Sequence, residues 1–373
     1  GWDMTDLQRD IYEKKYRFDS ESFEGFLERV SGGNSAIKKA IANKEFMPAG
    51  RILAGRGLDA FGKKITLSNC YVMPQVEDNI ESIYDTAKWM ARTYSYGGGV
   101  GLTLNKLRPK GARVNNAASS TTGAVSFMDL YSLTTGLIGM RGRRGALMLN
   151  MDASHPDILE FINVKKDLDK VTSANISVNC GDDFFEAYKK DAPFTLTFDV
   201  EATGEKIRRE ISARDMMHNL AYNNWDMAEP GVLFKDRINS WHIMSEDDTF
   251  EYAGVNPCAE EPLPAFGSCN LSSINLGEFV KYPFSKFARF EFESFGRLVR
   301  EGVIYLNDVL DENMALHPLK EQRELSRDLR QIGLGIMGVA DMFIKMGIKY
   351  GSSESLNLIN QIGRVLVNEA LRQ

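Results

Sequence analysis

The chain has 373 residues, of which 43% are hydrophobic and 26% charged, a balance typical of a globular protein with a large core. Its net charge of −6 argues against nonspecific binding to nucleic acid. No apolar run is long enough to span a membrane and the first residues lack the apolar core of a signal peptide, so we expect no membrane association and a cytoplasmic location. Four cysteines and four scattered histidines fit neither a disulfide scaffold nor a zinc module, and we expect no metal site.

The predicted elements begin with a charged, mostly helical region, residues 1–45, which we separate from a catalytic domain at 46–373. The elements after it follow in order: a strand at 65–73, a helix at 79–95, a helix at 124–137 with N-cap candidates in Ser119–Thr122, a strand at 146–151, a helix with Ser154 as N-cap and Asp157 as N3, a strand at 175–179, a hairpin at 194–211, a helix from Ser212 to Trp225, and long helices after 285. This alternation of strands and helices predicts an α/β fold.

The segment Asn256-Pro257-Cys258-Ala259-Glu260 carries the clearest chemistry of the chain. A thiol lies two residues from a carboxylate and two from a carboxamide, and Cys269 follows eleven residues later. On a tight loop these side chains can converge on one substrate, which indicates cysteine redox or radical chemistry more than hydrolysis. For Cys258 alone, a buried and inert structural cysteine is the alternative.

Together with Ser268–Leu276, this segment resembles the active-site finger loop and following strand of ribonucleotide reductase large subunits. Further stretches resemble the same family in the expected order, namely Phe46–Arg51, Ser68–Cys70, Tyr94–Gly101, Leu107–Ala112, Thr122–Asp129, Arg141–Ala146 and Gly333–Gly338. The resemblance runs from about residue 45 to the end and is greatest to the adenosylcobalamin-dependent branch, class II.

The resemblance implies a ten-stranded α/β barrel with a central finger loop. The chain matches the N-terminal portion of the family's usual chain and is expected to supply the first half of that barrel. A shortened piece, one part of a split enzyme whose second chain carries the C-terminal half, and a divergent short form are all open.

The same resemblance implies the roles of five side chains. Cys258 would carry a thiyl radical that takes the 3′ hydrogen of the ribose, Glu260 would accept the 3′-hydroxyl proton, and Asn256 would hold the substrate hydroxyls. Cys70 and Cys269 would supply two electrons and end as a disulfide, which requires Cα atoms roughly 4.4–6.8 Å apart. Cys180 has no counterpart among the family's functional residues and is expected to be structural.

Substrate and effector sites are also implied. The substrate pocket would include Ala49, Ser68, Asn69, Gly98 and Gly99, and an allosteric site for dNTP or ATP effectors would include Asp78, Arg108 and Arg143. The glycines at 97–101 lack the third glycine of a dinucleotide fingerprint and form either a plain turn or a close backbone approach to substrate. The arginine loop at 141–144 is either a solvated loop or the link between effector and substrate choice, and the helices at 79–95 and 124–137 form either a homodimer contact or plain core.

The function implied is reduction of ribonucleotides to 2′-deoxyribonucleotides, with adenosylcobalamin as radical source and a thioredoxin-like reductant. One alternative is a catalytic subunit whose radical comes from a separate metal-containing subunit. The other is a catalytically silent fragment that binds nucleotides and dimerises.

Overall fold

The structure is a computed structural model, and the residues it describes are 9, 12–68, 70–114, 119–138, 146–166, 171, 173–227, 231–234, 252–255, 262–264, 268–329 and 332–372. The chain divides into two compact units. The first unit comprises Gly1–Asn69, Cys269–His317 and Arg323–Gln373, and the second comprises Cys70–Ser268 and Pro318–Gln322. The separation of 1–45 from 46–373 stays a prediction.

Strands and helices of the described residues are numbered in chain order. The strands are β1 (Phe46–Pro48), β2 (Cys70–Val72), β3 (Gly99–Thr103), β4 (Leu147–Asp152), β5 (Asn175–Cys180), β6 (Pro193–Asp199), β7 (Lys206–Ser212), β8 (Gly231–Phe234), β9 (Tyr252–Val255), β10 (Pro262–Pro264), β11 (Ser268–Asn275), β12 (Val280–Lys281), β13 (Arg289–Phe290) and β14 (Ile332–Met337). The α-helices are α1 (Phe23–Ser31), α2 (Ser35–Ala42), α3 (Gly50–Gly55), α4 (Ile80–Ser95), α5 (Met128–Leu137), α6 (Ile158–Asn163), α7 (Asp182–Lys189), α8 (Ala213–Met227), α9 (Phe292–Asn313), α10 (Lys320–Leu329), α11 (Val339–Met346) and α12 (Ser353–Leu371).

The second unit is built on a parallel sheet in the order β2-β3-β4-β5-β8. Helix α4 connects β2 to β3 and α5 lies between β3 and β4, as parallel neighbours require. Helix α4 starts where the sequence predicts, because the Asn79 side chain accepts a hydrogen bond from Ser82 N at 2.7 Å. The α/β prediction is confirmed by this alternation of parallel strands and helices.

The first unit has a three-strand arrangement in which β11 pairs antiparallel with β1 and parallel with β14. Helix α1 is capped by Ser22, which accepts from Gly25 N at 3.0 Å, and it ends at Gly32 in the left-handed conformation. Its apolar stripe packs into one core with α2, α9 and α12, and Tyr305 of α9 donates to the Val30 carbonyl at 2.7 Å. Each large apolar side chain buried there contributes about 1.5–3 kcal/mol.

Most predicted elements are confirmed, including the hairpin β6–β7 and the cap of α8, where Ser212 Oγ accepts from Asp215 N at 3.2 Å. The strand predicted at 65–73 is wrong in its first part, since strand β2 begins only at Cys70. Before it, Leu67 N donates to the Asn313 side chain at 2.7 Å in place of a ladder bond.

The two predicted N-caps, within Ser119–Thr122 and at Ser154, are wrong. Helix α5 begins at Met128 after a 3₁₀ turn, Val125–Phe127, and the turn has no side-chain cap. Helix α6 begins only at Ile158. At the start of α6, Asp157 N donates to His155 Nδ1 at 3.0 Å and not to Ser154, and before α5, Ala124 N donates to the Asp157 carboxylate at 3.0 Å.

No helix in the described part of the chain is long and apolar enough to cross a bilayer.

Candidate active site

Strands β2 to β5 have two faces of different character. One face joins the apolar core of the second unit, through Tyr71, Val100, Leu102, Leu147, Leu149, Met151, Ile176, Val178 and Cys180. The residues that alternate with these point to the other face, and apart from Val72 and Met148 they are small or polar. Thr103, Asn150 and Ser177 are buried there. Because strands of parallel sheets are normally apolar on both faces, this buried polar face is the candidate site.

Cys70 is the first residue of β2 and lies on the polar face, where it pairs in register with Gly99 of β3. Its side chain is buried. Cys180 lies at the end of β5 on the opposite, apolar face, and burial raises the pKa of its thiol to about 12. The two thiols therefore lie on opposite faces of the sheet, and their predicted reactive and structural roles stay predictions.

Strand β9 lies close to the strands that carry Cys70 and Gly99, with Cα atoms within 8 Å of those of β2 and β3. It pairs antiparallel with β10, so that Val255 faces Pro262. The segment Asn256–Glu260 connects these two paired strands. The strand that leads into this segment thus lies near the strands that carry Cys70 and Gly99.

Several predicted site residues lie outside the described residues: Asn69, Arg143, Asn256, Cys258 and Glu260. Cys269 belongs to β11 by its backbone, but its side chain also lies outside them. Their roles, and the pairing of Cys70 with Cys269, stay predictions.

Gly98 has a packing reason to be glycine. A Cβ at this position would lie 2.7 Å from Cε2 of Tyr71 and 3.1 Å from Cγ2 of Thr93. Tyr71 is fully buried, so its ring cannot move to make room for a side chain without disturbing the core. The glycine therefore lets the turn before β3 pass close to the residue that follows Cys70. Its predicted contact with substrate stays a prediction.

Ser68 and Ala49 belong to the first unit. Ser68 is buried, and its Oγ accepts from Asn313 Nδ2 at 2.8 Å. Asn313 Oδ1 accepts from Leu67 N at 2.7 Å and from Thr66 Oγ1 at 3.3 Å. Ala49 is the half-buried N-cap residue of α3, and its carbonyl accepts from Leu53 N at 3.1 Å.

Asn313 was missed by the sequence reasoning. It is fully buried at the end of α9 and fixes residues 66–68 through both ends of its carboxamide. The chain offers no signal for this contact, because 246 residues separate Asn313 from Leu67.

Asn313→Ala is expected to lower the free energy of unfolding by about 3 kcal/mol, because it leaves buried backbone and hydroxyl groups without hydrogen bonds. Urea denaturation measures the loss. The control is Asn357→Ala, at an exposed position of α12, which should change stability by less than about 0.5 kcal/mol. Equal stability of both variants would show that the Asn313 carboxamide does not hold this segment.

Asn150 was also missed. Its Nδ2 donates to the Leu102 carbonyl at 3.3 Å, while its Oδ1 has no hydrogen-bond partner among the described residues. A buried acceptor of this kind usually bonds a water or ligand. The signal in the sequence was an asparagine within the apolar run Leu147–Met151.

Asp78 and Arg108, predicted to share an effector site, lie together in the structure. Arg108 Nε donates to Asp78 Oδ2 at 2.7 Å and Arg108 N donates to Asp78 Oδ1 at 3.2 Å. Arg108 Nη1 donates to the Arg113 carbonyl at 2.6 Å. Asp78 directly precedes the cap residue of α4, so this ion pair sits at the helix N-terminus, which favours bound anions.

Comparisons with known proteins agree with the family resemblance of the sequence motifs. Residues 68–373 match the family model described as ribonucleotide reductase, barrel domain. The chain is similar to a vitamin B12-dependent ribonucleoside-diphosphate reductase of Thermoplasma acidophilum, at 35% identity over 358 residues, covering 94% of this chain and 44% of that protein. A protein of the same description from Mycobacterium tuberculosis is 32% identical over 326 residues, covering 87% of this chain and 45% of that protein.

Among solved structures, the class Id ribonucleotide reductase alpha subunit of Actinobacillus ureae superposes with a TM-score of 0.79 at 18% identity, covering 99% of this chain and 66% of that chain. This likeness confirms the predicted barrel-type fold. The chain spans less than half the length of the two curated relatives.

Proposed function

Because this chain belongs to the ribonucleotide reductase family, as the match of its residues 68–373 shows, we propose that it serves in the reduction of ribonucleotides to 2′-deoxyribonucleotides. The observation that carries this proposal is the buried polar face of β2 to β5. It holds Cys70, and the strands β2 and β3 lie near β9, the strand that leads into the segment with Cys258.

In the proposed reaction, three thiols and one carboxylate of this chain act on the ribose. The Cys258 thiyl radical takes the 3′ hydrogen, Glu260 accepts the 3′-hydroxyl proton, and Asn256 orients the hydroxyls. The 2′-hydroxyl leaves as water. Two electrons and two protons come from Cys70 and Cys269, which become a disulfide, and the 3′ hydrogen then returns from Cys258. A thioredoxin-like protein would reduce the disulfide.

We propose adenosylcobalamin as the cofactor, since the relatives from Thermoplasma acidophilum and Mycobacterium tuberculosis are named for vitamin B12 dependence. When bound, the cofactor supplies the radical that a thiol receives. A buried face with a cysteine and few large side chains fits this chemistry, because it shields a radical from water. This chain's own part is to hold the thiols and the substrate.

The residues expected to bind substrate and effector keep these roles in the proposal. Ala49, Ser68, Asn69, Gly98 and Gly99 would line the substrate pocket. Asp78 and Arg108 would bind a dNTP or ATP effector, and Arg143 would relay its identity to the substrate site. A cytoplasmic location and a second polypeptide carrying the C-terminal half belong to the same proposal.

A turnover assay tests the proposal. Deoxyribonucleotide formation is measured with adenosylcobalamin and dithiothreitol, with and without a second polypeptide that supplies the remaining length of the relatives. Product that depends on cobalamin supports it. Product that requires a metal-containing subunit instead supports the first alternative, and nucleotide binding without product under every condition supports the silent fragment.

We also propose a homodimer formed through α4 and α5. These helices pack on each other, since Tyr131 donates to the Ile83 carbonyl at 2.9 Å. They nevertheless expose large apolar side chains to solvent, at Ile80 (65%), Tyr84 (57%), Leu133 (60%) and Leu137 (71%). Apolar surface left open on adjacent helices is typical of an interface.

Tyr84→Glu combined with Leu133→Glu is expected to weaken the dimer by at least about 100-fold, because two charges would be buried at the contact. Sedimentation velocity over a concentration series measures the change. The matched control, Leu356→Glu, replaces an equally exposed leucine of α12 and should leave association unchanged. A double variant that dimerises like the wild type would exclude this face.

A further inference from the structure

Asp157 is a buried carboxylate that joins three segments of the second unit. Lys110 N donates to both of its oxygens, at 3.1 and 3.2 Å, and Ala124 N donates to Oδ2 at 3.0 Å. Backbone donors to a charged acceptor form stronger hydrogen bonds than neutral pairs do. The carboxylate therefore ties the ends of the segment 110–124 to the turn before α6.

His155 fixes the orientation of that turn. Its Nδ1 accepts from Asp157 N at 3.0 Å, so the ring proton resides on Nε2, which donates to the Leu107 carbonyl at 2.7 Å. The ring is buried, and burial lowers the pKa of His155, which favours the neutral form that this arrangement requires. His155 and Asp157 thus hold Leu107 and Lys110, on either side of Arg108.

Gly123 shows how closely these segments pack. Its φ is +97°, and a Cβ would lie 2.9 Å from Asp157 Oδ2 and 2.8 Å from Lys110 N. No side chain fits at this position without displacing the carboxylate. The segment is also cross-linked within itself, since Gly111 N donates to the Thr121 carbonyl at 3.0 Å.

The chain that His155 and Asp157 hold at Leu107, Lys110 and Ala124 carries one residue of the proposed effector site, Arg108, near its start. Arg108 lies between the two clamped residues, and its guanidinium contacts Asp78 at 2.7 Å and the Arg113 carbonyl at 2.6 Å. At its other end, Ala124 leads into the 3₁₀ turn before α5. One carboxylate therefore sets the position of Arg108 relative to Asp78 and the start of α5.

We propose that Asp157, oriented by His155, is a positioning residue for nucleotide effectors: it holds the backbone at Lys110 and Ala124 so that Arg108 and Asp78 present one binding site. The inference rests on the proposed effector role of Arg108. Asp157 itself does not touch the nucleotide in this arrangement.

The test is a double-mutant cycle on the full 373-residue chain, with dTTP binding measured by titration calorimetry and ATP in a second series. Arg108→Ala should weaken binding. Asp157→Asn should weaken it about tenfold, the effect of losing one charge-assisted hydrogen bond. In the Arg108→Ala background, Asp157→Asn should have little further effect, because Asp157 acts through Arg108.

A general loss of stability would not produce this non-additivity, and thermal denaturation of each variant records stability separately. The control is Asp199→Asn, which removes an exposed carboxylate paired with Arg208 at 2.8 Å and should leave effector affinity unchanged. If Asp157→Asn does not fold, His155→Asn replaces it. That variant keeps an acceptor for Asp157 N but loses the bond to Leu107, and should weaken binding less.

The outcomes separate the two proposals. If no nucleotide binds, or if the Arg108→Ala variant binds as tightly as the wild type, the proposed effector site is wrong. The proposed role of Asp157 is then wrong as well, because it depends on that site. If Arg108→Ala weakens binding while Asp157→Asn does not, or if the two effects add, the effector site stands and Asp157 is not its positioning residue.

Discussion

Cys258→Ser is expected to abolish ribonucleotide reduction and to leave nucleotide binding intact. A hydroxyl has a stronger bond to hydrogen than a thiol has, so serine cannot take the place of the radical carrier. A fall in turnover of at least about 10³-fold, or about 4 kcal/mol of barrier, is expected. Deoxyribonucleotide formation measures the first effect, and equilibrium dialysis with substrate measures the second.

The control for this variant is Cys180→Ala, a substitution of the thiol on the apolar face of β5. It should keep turnover, at a modest cost in stability from the lost packing. Residual reductase activity of Cys258→Ser above the assay limit would contradict the thiyl assignment. Loss of nucleotide binding in the same variant would point to a structural role for Cys258.

The sequence was sufficient to predict those helices and hairpins whose ends are determined by their own residues. Helix α4 starts after Asn79 and helix α8 after Ser212, because each cap bonds a backbone N–H of its own first turn. The hairpin β6–β7 was likewise predictable, since its turn and its alternation lie within one short stretch. Such features need no knowledge of the rest of the fold.

Features that depend on distant residues were not predictable. The predicted strand from residue 65 is shorter because Asn313, far along the chain, takes its hydrogen bonds. The cap expected before α5 fails because Asp157, which is 33 residues away, accepts the hydrogen bond from Ala124 N. In each case a side chain from another segment forms the hydrogen bond that the local sequence pattern assigns to a neighbouring residue.

The apolar residues of the helix predicted at 79–95 left two alternatives open, a dimer contact or plain core, and helical periodicity could not assign each residue to one of them. Ile83, Met90 and Tyr94 are buried in the core of the second unit, whereas Ile80 and Tyr84 on the same stripe are exposed. A period of 3.6 residues reports that a face is apolar, not what covers it. Sequence patterns were similarly incomplete for the candidate site. The motifs identified Cys70, but only the strand register showed that its face of the sheet is polar.

Cys70→Ser is expected to lower the steady-state rate of reduction by at least about 100-fold, because the electron pair that removes the 2′-hydroxyl would no longer be available as two thiols. A single-turnover experiment without external reductant gives the sharper measurement. In the wild type, the four thiols of the chain should fall to two as up to one product forms per chain. In Cys70→Ser, thiol loss and product should both fall well below those values.

Cys180→Ala again supplies the control, since it should still lose two thiols per product although it starts from one thiol fewer. Mass spectrometry after the single turnover should identify a peptide pair that joins Cys70 to Cys269. An unaltered steady-state rate in Cys70→Ser would remove Cys70 from the redox pair. A disulfide between Cys269 and Cys180 would also contradict it, because Cys180 lies on the apolar face of the sheet, opposite to the face that carries Cys70.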